Sequence, residues 1–178
     1  DIIKKKKSKK NKKDFNKYVT HVVKNMDLIF TYSKLKKTDR KALFRNLYKD
    51  FSTQLSNNYD ILIFDLPAGI IYEENLIYLK NIGNLIIVTN SEPSAHVSAG
   101  AYIKNVIELK LDTKMHLWHN KYTLVPGSEF DPKDVIGNYN KNVPDEVRFS
   151  KIPEIADLAF IPNDKSLDLL QGNPSLSI

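Results

Sequence analysis

A carboxylate and a glycine follow a short apolar run near the middle of the chain. Residues 61–64 are Ile-Leu-Ile-Phe, Asp65 comes next, and Gly69 follows four residues later. An aspartate that ends a buried parallel strand lies at the carboxyl edge of the sheet, where open α/β sheets bind ligands. In a nucleotide hydrolase such a carboxylate holds Mg²⁺ or its water, and a following glycine lets a backbone N–H approach the γ-phosphate. The spacing therefore predicts a site for phosphate and metal, and the alternative is a carboxylate that caps a turn.

Such a site requires a parallel sheet, and the rest of the chain has the matching pattern. From Phe15 onward, short apolar runs alternate with amphipathic segments, which is typical of an α/β domain with a mostly parallel sheet flanked by helices. We predict strands at residues 26–31, 61–64, 85–89, 114–119 and 158–161. We predict helices at residues 38–55, 73–80 and 94–111. The two continuously apolar runs are expected to be strands covered on both faces, the first of them central in the sheet: residues 61–64 and 85–89.

Residues 121–152 have little periodicity and are rich in Asn, Asp, Pro and Gly. We predict a long surface loop with a short helix after Asp131. The two neighbouring histidines of the strand before it, His116 and His119, are three residues apart, so they should point to opposite faces of that strand. This spacing argues against a histidine metal site.

The length and composition limit the class of protein. A chain of 178 residues with 42% hydrophobic and 27% charged residues forms about one globular domain with a sizeable core. No apolar run approaches the roughly 20 residues of a membrane span. The absence of cysteine excludes a disulfide scaffold, a thiolate zinc site and a cysteine nucleophile, and it fits a reducing compartment. We therefore expect a soluble, cytoplasmic protein.

The net charge of +6 is concentrated at one end. Residues 1–13 contain eight lysines and one aspartate, so the rest of the chain is nearly neutral. We expect residues 1–14 to form a flexible, lysine-rich segment and residues 15–178 to form the α/β domain. Any salt-dependent contact with an anionic membrane or a nucleic acid should involve this lysine tract.

Four motifs resemble those of the MinD/ParA group of P-loop ATPases, in particular MinD and the flagellar-number regulators. Residues 59–70, YDILIFDLPAGI, are similar to the YDxxIxDxPAGI segment of that family, and residues 84–94 resemble its apolar strand followed by TxPEPxS. The pair Asn120-Lys121 resembles a strand-end Asn-Lys/Arg. Residues 160–164, FIPND, with Gly-Asn-Pro at residues 172–174, resemble the closing IPxD and GxP segments.

The resemblance implies a P-loop NTPase-like fold with a site for ATP and Mg²⁺. Asp65 would engage Mg²⁺ through water, and Gly69 would sense the γ-phosphate. The resemblance assigns the adenine side of the site to residues at two strand ends: Asn120, Lys121, Pro162, Asn163 and Asp164. Without the resemblance, a turn or cap role for Asn120 is nearly as good an interpretation.

One expected motif is absent from the sequence. A phosphate-binding loop, GxxxxGK[ST], needs two glycines five residues apart, and the six glycines contain no such pair. We therefore interpret the chain as the later part of a longer ATPase, incomplete at its N-terminal end and unable to hydrolyse ATP alone. The alternative is a non-catalytic MinD-like interaction module that has lost hydrolysis.

By resemblance, the complete protein would be an ATP-dependent switch for spatial positioning. The processes served by the family include flagellar number and placement, division-site selection and DNA partition. The resemblance also implies an ATP-dependent homodimer and an activator protein that resets the switch, with peripheral association at the inner membrane as a further expectation. These partners and the ATPase activity belong to the complete polypeptide.

Overall fold

The computed structural model divides the chain into two compact units, Asp1–Phe64 and Asp65–Ile178. It describes residues 19–29, 53, 55–66, 68, 73–124 and 126–164. Several predicted features lie outside the described residues. They are the lysine-rich segment at residues 1–14, most of the helix predicted at residues 38–55, Gly69, and the segment at residues 172–174.

The first unit contains a β-hairpin. Strand β1 (Val19–Val23) pairs antiparallel with strand β2 (Met26–Ile29). Asn25 in the connecting turn has a φ of 65°, a left-handed conformation that asparagine tolerates better than most residues. The strand predicted at residues 26–31 is confirmed over residues 26–29, whereas its antiparallel partner was not predicted. Residues 55–58 are helical, at the end of the predicted helix.

The second unit is built on a three-stranded parallel sheet. Its strands β3 (Asn84–Thr89), β4 (Lys114–Tyr122) and β5 (Ala156–Pro162) lie in the order β3-β4-β5. The predicted α/β class with a parallel sheet is therefore confirmed for this unit. The three strands predicted for this region are all present, and β4 and β5 are longer than predicted.

Three helices accompany the sheet: α1 (Glu73–Leu79), α2 (Pro93–Glu108) and α3 (Val135–Lys141). Helices α1 and α2 confirm the predictions at residues 73–80 and 94–111, and α3 confirms the short helix predicted after Asp131. A 3₁₀ helix, Asp145–Val147, adds further order to the predicted loop. Within the described ranges, none of the helices combines the length and the apolar content that crossing a bilayer requires.

The core of the second unit lies between the sheet and the three helices. Leu79 of α1, Ile103 of α2 and Val135 of α3 are at most 1% exposed and pack in one cluster with Ile87 and Leu117 of the sheet. All three helices thus lie against the same face of the sheet. Right-handed crossovers that proceed in one direction along a sheet place their helices in this way.

The opposite face of the sheet corrects one prediction. Ile86 and Val88 are 46% and 61% exposed, and burial alternates along β3. The expectation that residues 85–89 would be covered on both faces is therefore wrong. An apolar run indicates two covering layers only when helices pack on both sides, and here the described helices pack on one.

Residues 61–64 correct a second prediction. They were expected to form a central strand, but they have no regular structure, and Ile61 and Ile63 are 77% and 88% exposed. A strand is stabilised by the hydrogen bonds of a neighbouring strand. No strand of the described residues pairs with residues 61–64, so their apolar sequence alone does not make a strand.

The region between β4 and β5 is held by contacts to α2. Lys104 of α2 donates from its Nζ to the carbonyl oxygen of Val147 at 2.6 Å, and the Tyr139 hydroxyl donates to the same oxygen at 3.1 Å. Asp134 caps α3 by accepting from the backbone N–H of Gly137 at 2.7 Å. These bonds explain why much of the predicted loop is ordered.

Candidate functional site

The carboxyl ends of β4 and β5 meet at one edge of the sheet. The register of the pairing shifts a first time between Leu117 and Trp118, so that His119 lies opposite Phe160. It shifts a second time after His119, so that Tyr122 pairs with Pro162. The backbone N–H of Asn163 donates to the carbonyl oxygen of Tyr122 at 3.2 Å. Two of the predicted adenine-side residues, Pro162 and Asn163, therefore lie beside the end of β4.

Asn120 and Lys121 occupy the irregular step in β4. Lys121 has a φ of 51°, in the left-handed region that costs a residue with a side chain roughly 1–2 kcal/mol. The Asn120 Oδ1 accepts the backbone N–H of Lys121 at 3.0 Å, which supports this turn. Both residues are exposed. Irregular steps of this kind redirect side chains and occur often beside functional sites.

Three side-chain rings pack together next to the irregular step of β4. His119 stacks on Phe160 with ring centroids 4.4 Å apart and an interplanar angle of 11°. Tyr122 packs edge-on against Phe160 at 5.2 Å. The Lys133 Nζ lies 5.4 Å from the centroid of the Phe160 ring, within the range of a cation–π contact. The packing fixes the backbone from which residues 120–122 project.

His119 is also bound to a carboxylate. Its side chain is 2% exposed, and its Nε2 lies 2.9 Å from the Oδ1 of Asp157. His116, in contrast, is half-buried and its Nε2 lies 3.1 Å from the Oδ1 of Asn84. The alternation along β4 places Leu117 and His119 on the side of the core and His116 on the other side. The prediction that the two histidines point to opposite faces is confirmed.

A second histidine, His96, is buried in the first turns of α2. It is 0% exposed, and its Nδ1 lies 3.0 Å from the Nδ2 of Asn138 in α3. Burial is the strongest influence on His96 and lowers the pKa of its ring below the ordinary value, while a hydrogen bond to the backbone of Asn90 raises it. Sequence analysis missed this group because Asn138 is 42 residues away along the chain.

The predicted phosphate-side residues are less well defined. Asp65 is exposed and precedes Leu66, which packs against the core of the second unit. Gly69 lies outside the described residues. Asp164, which was predicted for the adenine side, is exposed just after β5. The structure therefore brings Asn120, Lys121, Pro162 and Asn163 to one edge of the sheet. The roles assigned to these four residues, to Asp65 and to Gly69 stay predictions.

The side chains of the described residues show which of them could bind Mg²⁺. The described residues contain no group of three His, Asp or Glu side chains placed to hold a metal ion. Mg²⁺ bound with a nucleotide needs only one or two carboxylates, because phosphates and water supply its other ligands. A single exposed carboxylate, Asp65, fits that requirement.

The first unit has a polar cluster of its own. The Nδ1 of His21 lies 2.5 Å from one oxygen of Asp27, and the Tyr59 hydroxyl donates to the other oxygen at 2.6 Å. The hydrogen bond from Tyr59 is the strongest influence on the Asp27 carboxyl, and together with the bond to His21 it lowers the pKa of that carboxyl. The bond between Tyr59 and Asp27 also raises the pKa of the Tyr59 hydroxyl. These side chains line a cleft of about 810 Å³. Sequence analysis missed the cluster because it did not predict the hairpin that pairs His21 with Asp27.

Comparisons with known proteins do not extend the assignment. No protein-family model matches the chain, and no curated protein is significantly similar to it. The resemblance to the MinD/ParA group therefore rests on the sequence motifs alone.

Proposed function

We propose that the carboxyl edge of the sheet binds the adenine base of Mg²⁺–ATP. The observation that supports this proposal best is the irregular step in β4. There the exposed Asn120 and the left-handed Lys121 lie beside the end of β5, which ends at Pro162 and is followed by Asn163. Strained backbone conformations cluster at functional sites. The carboxyl edge of a parallel sheet is where open α/β sheets bind ligands, so the position of the step supports the proposal.

The chemistry of this edge suits adenine. An asparagine amide carries a donor and an acceptor, and it can pair with the N6 amino group and a ring nitrogen of adenine. The Oδ1 of Asn120 already accepts from the backbone, but a carbonyl oxygen has a second lone pair, and the NH₂ group supplies the donor. Pro162 would flank the flat base with its ring. This pairing would distinguish adenine from guanine, which presents a carbonyl oxygen where adenine has its amino group.

The phosphates need further groups. The 178-residue sequence contains no phosphate-binding loop, and phosphoryl transfer depends on positioning and on charge neutralisation. We propose that Asp65 holds Mg²⁺ through water, that Gly69 contacts the γ-phosphate, and that the phosphate loop comes from another segment of the complete polypeptide. The complete protein would then be an ATP-dependent switch of the MinD/ParA type, with ATP-dependent dimerisation and an activator partner.

Calorimetry with Mg²⁺–ATP tests the base-side assignment. The titration is made on this chain and on the complete gene product, each with Asn120→Ala and with Asn57→Ala, an exposed asparagine of the first unit, as the matched control. We expect Asn120→Ala to weaken binding to the complete product about tenfold and to reduce its preference for ATP over GTP, because one amide interaction is lost. Equal affinities for the two variants would contradict the proposal.

Hydrolysis by the complete gene product tests the metal assignment separately. Asp65→Asn should lower the rate about 100-fold or more while ATP still binds, because charge stabilisation in the transition state is lost. Asp60→Asn, which changes a nearby exposed aspartate, is the control and should keep the rate within about twofold of the unchanged protein. A similar loss of rate in both variants would contradict the role of Asp65.

A further inference from the structure

A histidine, an aspartate and a tyrosine of the first unit form a chain of hydrogen bonds. The Nδ1 of His21 lies 2.5 Å from the Oδ1 of Asp27, and the Tyr59 hydroxyl donates to the Oδ2 of the same carboxylate at 2.6 Å. His21 and Asp27 lie opposite each other because they pair across the antiparallel strands β1 and β2. The proposed nucleotide site uses none of these three residues.

The bond to Asp27 decides which nitrogen of His21 carries the hydrogen. The hydrogen bond from Tyr59, and after it the bond from His21, lowers the pKa of the Asp27 carboxyl, so this group is ionised at neutral pH. An ionised carboxylate only accepts, so the Nδ1 of His21 is the donor. In the neutral ring, Nε2 therefore has a lone pair and no hydrogen.

The Nε2 side of the ring is open to solvent. The side chain of His21 is 82% exposed, whereas that of Asp27 is 18% exposed. Within the described part of the chain, the bond to Asp27 is the hydrogen bond that the ring makes. A small molecule can therefore reach Nε2 while Asp27 holds the opposite nitrogen.

An imidazole held in this way is a nucleophile. Attack by Nε2 on an electrophilic carbon leaves a positive charge on the ring, and a carboxylate bound to Nδ1 stabilises that charge. The Tyr59 hydroxyl fixes the second oxygen of Asp27, so the carboxylate keeps its orientation toward the ring. His21 can therefore act as a catalytic residue, with Asp27 and Tyr59 as positioning residues.

The cleft of about 810 Å³ that these side chains line has groups for both parts of an acyl compound. Val23 and Ile61 expose apolar side chains there, and Lys24 and Asn58 carry N–H donors. The apolar side chains suit the hydrocarbon part of an acyl group. The N–H donors suit its carbonyl oxygen, which becomes negative when a nucleophile attacks the carbon.

The charges in the cleft favour a neutral substrate. Two carboxylates, Asp27 and Asp60, and one lysine, Lys24, belong to the described residues that line it. A phosphate group would be repelled by the carboxylates. A carboxylic ester has no charge, so it enters the cleft without this repulsion.

We propose that the cleft of the first unit is an esterase site in which the Nε2 of His21 attacks small carboxylic esters. The Nε2 forms a bond to the carbonyl carbon, and the bond from that carbon to the alcohol oxygen breaks. The acylated ring gives its Nδ1 hydrogen to Asp27 and from there to the solvent, where the leaving oxygen takes up a proton. Water then attacks the acyl carbon, the bond to Nε2 breaks, and one proton of the water returns to the ring. The cycle consumes one ester and one water, and it does not depend on nucleotide binding.

Hydrolysis of p-nitrophenyl acetate by the 178-residue chain tests the proposal. We expect the rate to saturate with ester concentration and to exceed that of an equal concentration of N-acetylhistidine amide about tenfold or more. His21→Gln should remove this activity. The matched control is His116→Gln, which changes a half-buried histidine of the second unit and should keep the rate within about twofold.

The role of Asp27 has a readout of its own. Asp27→Asn keeps the size of the side chain but removes its charge, and it should lower the rate of ester hydrolysis about tenfold or more. It should also slow the modification of His21 by diethyl pyrocarbonate, which mass spectrometry of the peptide that contains His21 measures. An effect on folding alone would leave that ring exposed and would not slow its modification.

Three results would overturn the proposal. The first is a rate no greater than that of N-acetylhistidine amide, and the second is a rate that persists in His21→Gln. The third is an equal loss of activity in His116→Gln. If His21→Gln does not fold, diethyl pyrocarbonate decides the outcome in the unmodified chain, because hydrolysis should disappear in proportion to the modification of His21. Hydrolysis that continues after His21 is fully modified would contradict the site.

Discussion

Two apolar segments of this chain, residues 61–64 and residues 84–89, lie in opposite environments. The second forms strand β3, pairs with β4, and buries Leu85 and Ile87 under three helices. The first is irregular, and two of its isoleucines are largely exposed. The comparison shows that an apolar sequence forms a stable strand only where a neighbouring strand and a covering layer are both present.

Matched isoleucine truncations should give the largest difference between the two segments. Ile87→Ala removes a side chain that is 8% exposed, and Ile63→Ala removes one that is 88% exposed. We expect Ile87→Ala to lower the free energy of unfolding by about 2–5 kcal/mol and Ile63→Ala to change it by less than about 0.5 kcal/mol. Urea unfolding followed by circular dichroism measures both free energies of unfolding. Similar losses of stability in the two variants would contradict the difference in burial between the two segments.

The layer that covers β3 can be tested through the contact between α2 and α3. A Cβ at Gly100 would lie within 2.6 Å of the side chain of Tyr139, whereas a Cβ at Gly83 would meet nothing within 4 Å. We expect Gly100→Ala to destabilise the second unit by about 1–3 kcal/mol because the helices must move apart. Gly83→Ala serves as the control and should stay within about 0.5 kcal/mol. Equal unfolding midpoints for the two variants would show that this layer is loosely packed.

High pH should destabilise the helical layer that covers β3, because this layer contains the buried hydroxyl of Tyr78. Burial raises the pKa of Tyr78, in α1, to about 12. The folded protein keeps this proton while the unfolded chain loses it near pH 10, so stability should fall as the pH rises from 10 to 12. Tyr78→Phe should flatten that slope in a series of urea titrations. A slope that is unchanged in Tyr78→Phe would mean that Tyr78 is accessible to water.

Paired lysine substitutions should give the smallest effect on stability and test the strand end specifically. Lys121 and Lys110 both have a φ of 51°. Glycine relieves the left-handed strain but makes the unfolded chain more flexible, so each substitution should stabilise the fold by about 0.5 kcal/mol. Only Lys121→Gly should weaken the binding of ATP to the complete gene product. Equal affinities in the two variants would show that the Lys121 side chain takes no part in nucleotide binding, because glycine keeps the left-handed conformation of the step.

The sequence predicted those features that depend on local pattern. The apolar run at residues 85–89 and the helical spacing at residues 94–111 gave β3 and α2 to within a few residues. The end of β4 at residue 119 was placed three residues too early, because Asn120 and Lys121 resemble turn residues and the irregular step keeps them in the strand.

Features that depend on distant contacts were missed. The bond between His96 and Asn138 joins α2 to α3, and the bond between His119 and Asp157 joins β4 to β5. No local pattern marks either pair. The exposed state of residues 61–64 was missed for the same reason, since their spacing does not show whether another strand will pair with them.

Amide chemical shifts of the ¹⁵N-labelled chain, titrated with Mg²⁺–ATP and separately with Mg²⁺–GTP, show whether the carboxyl edge of the sheet binds the adenine base. We expect ATP to shift the amides of residues 119–123 and 160–164 and GTP to shift them much less. If the complete gene product binds ATP while this edge of the labelled chain shows no shift, or if the shifts fall instead in the cleft around His21 and Asp27, the assignment of the base site is contradicted.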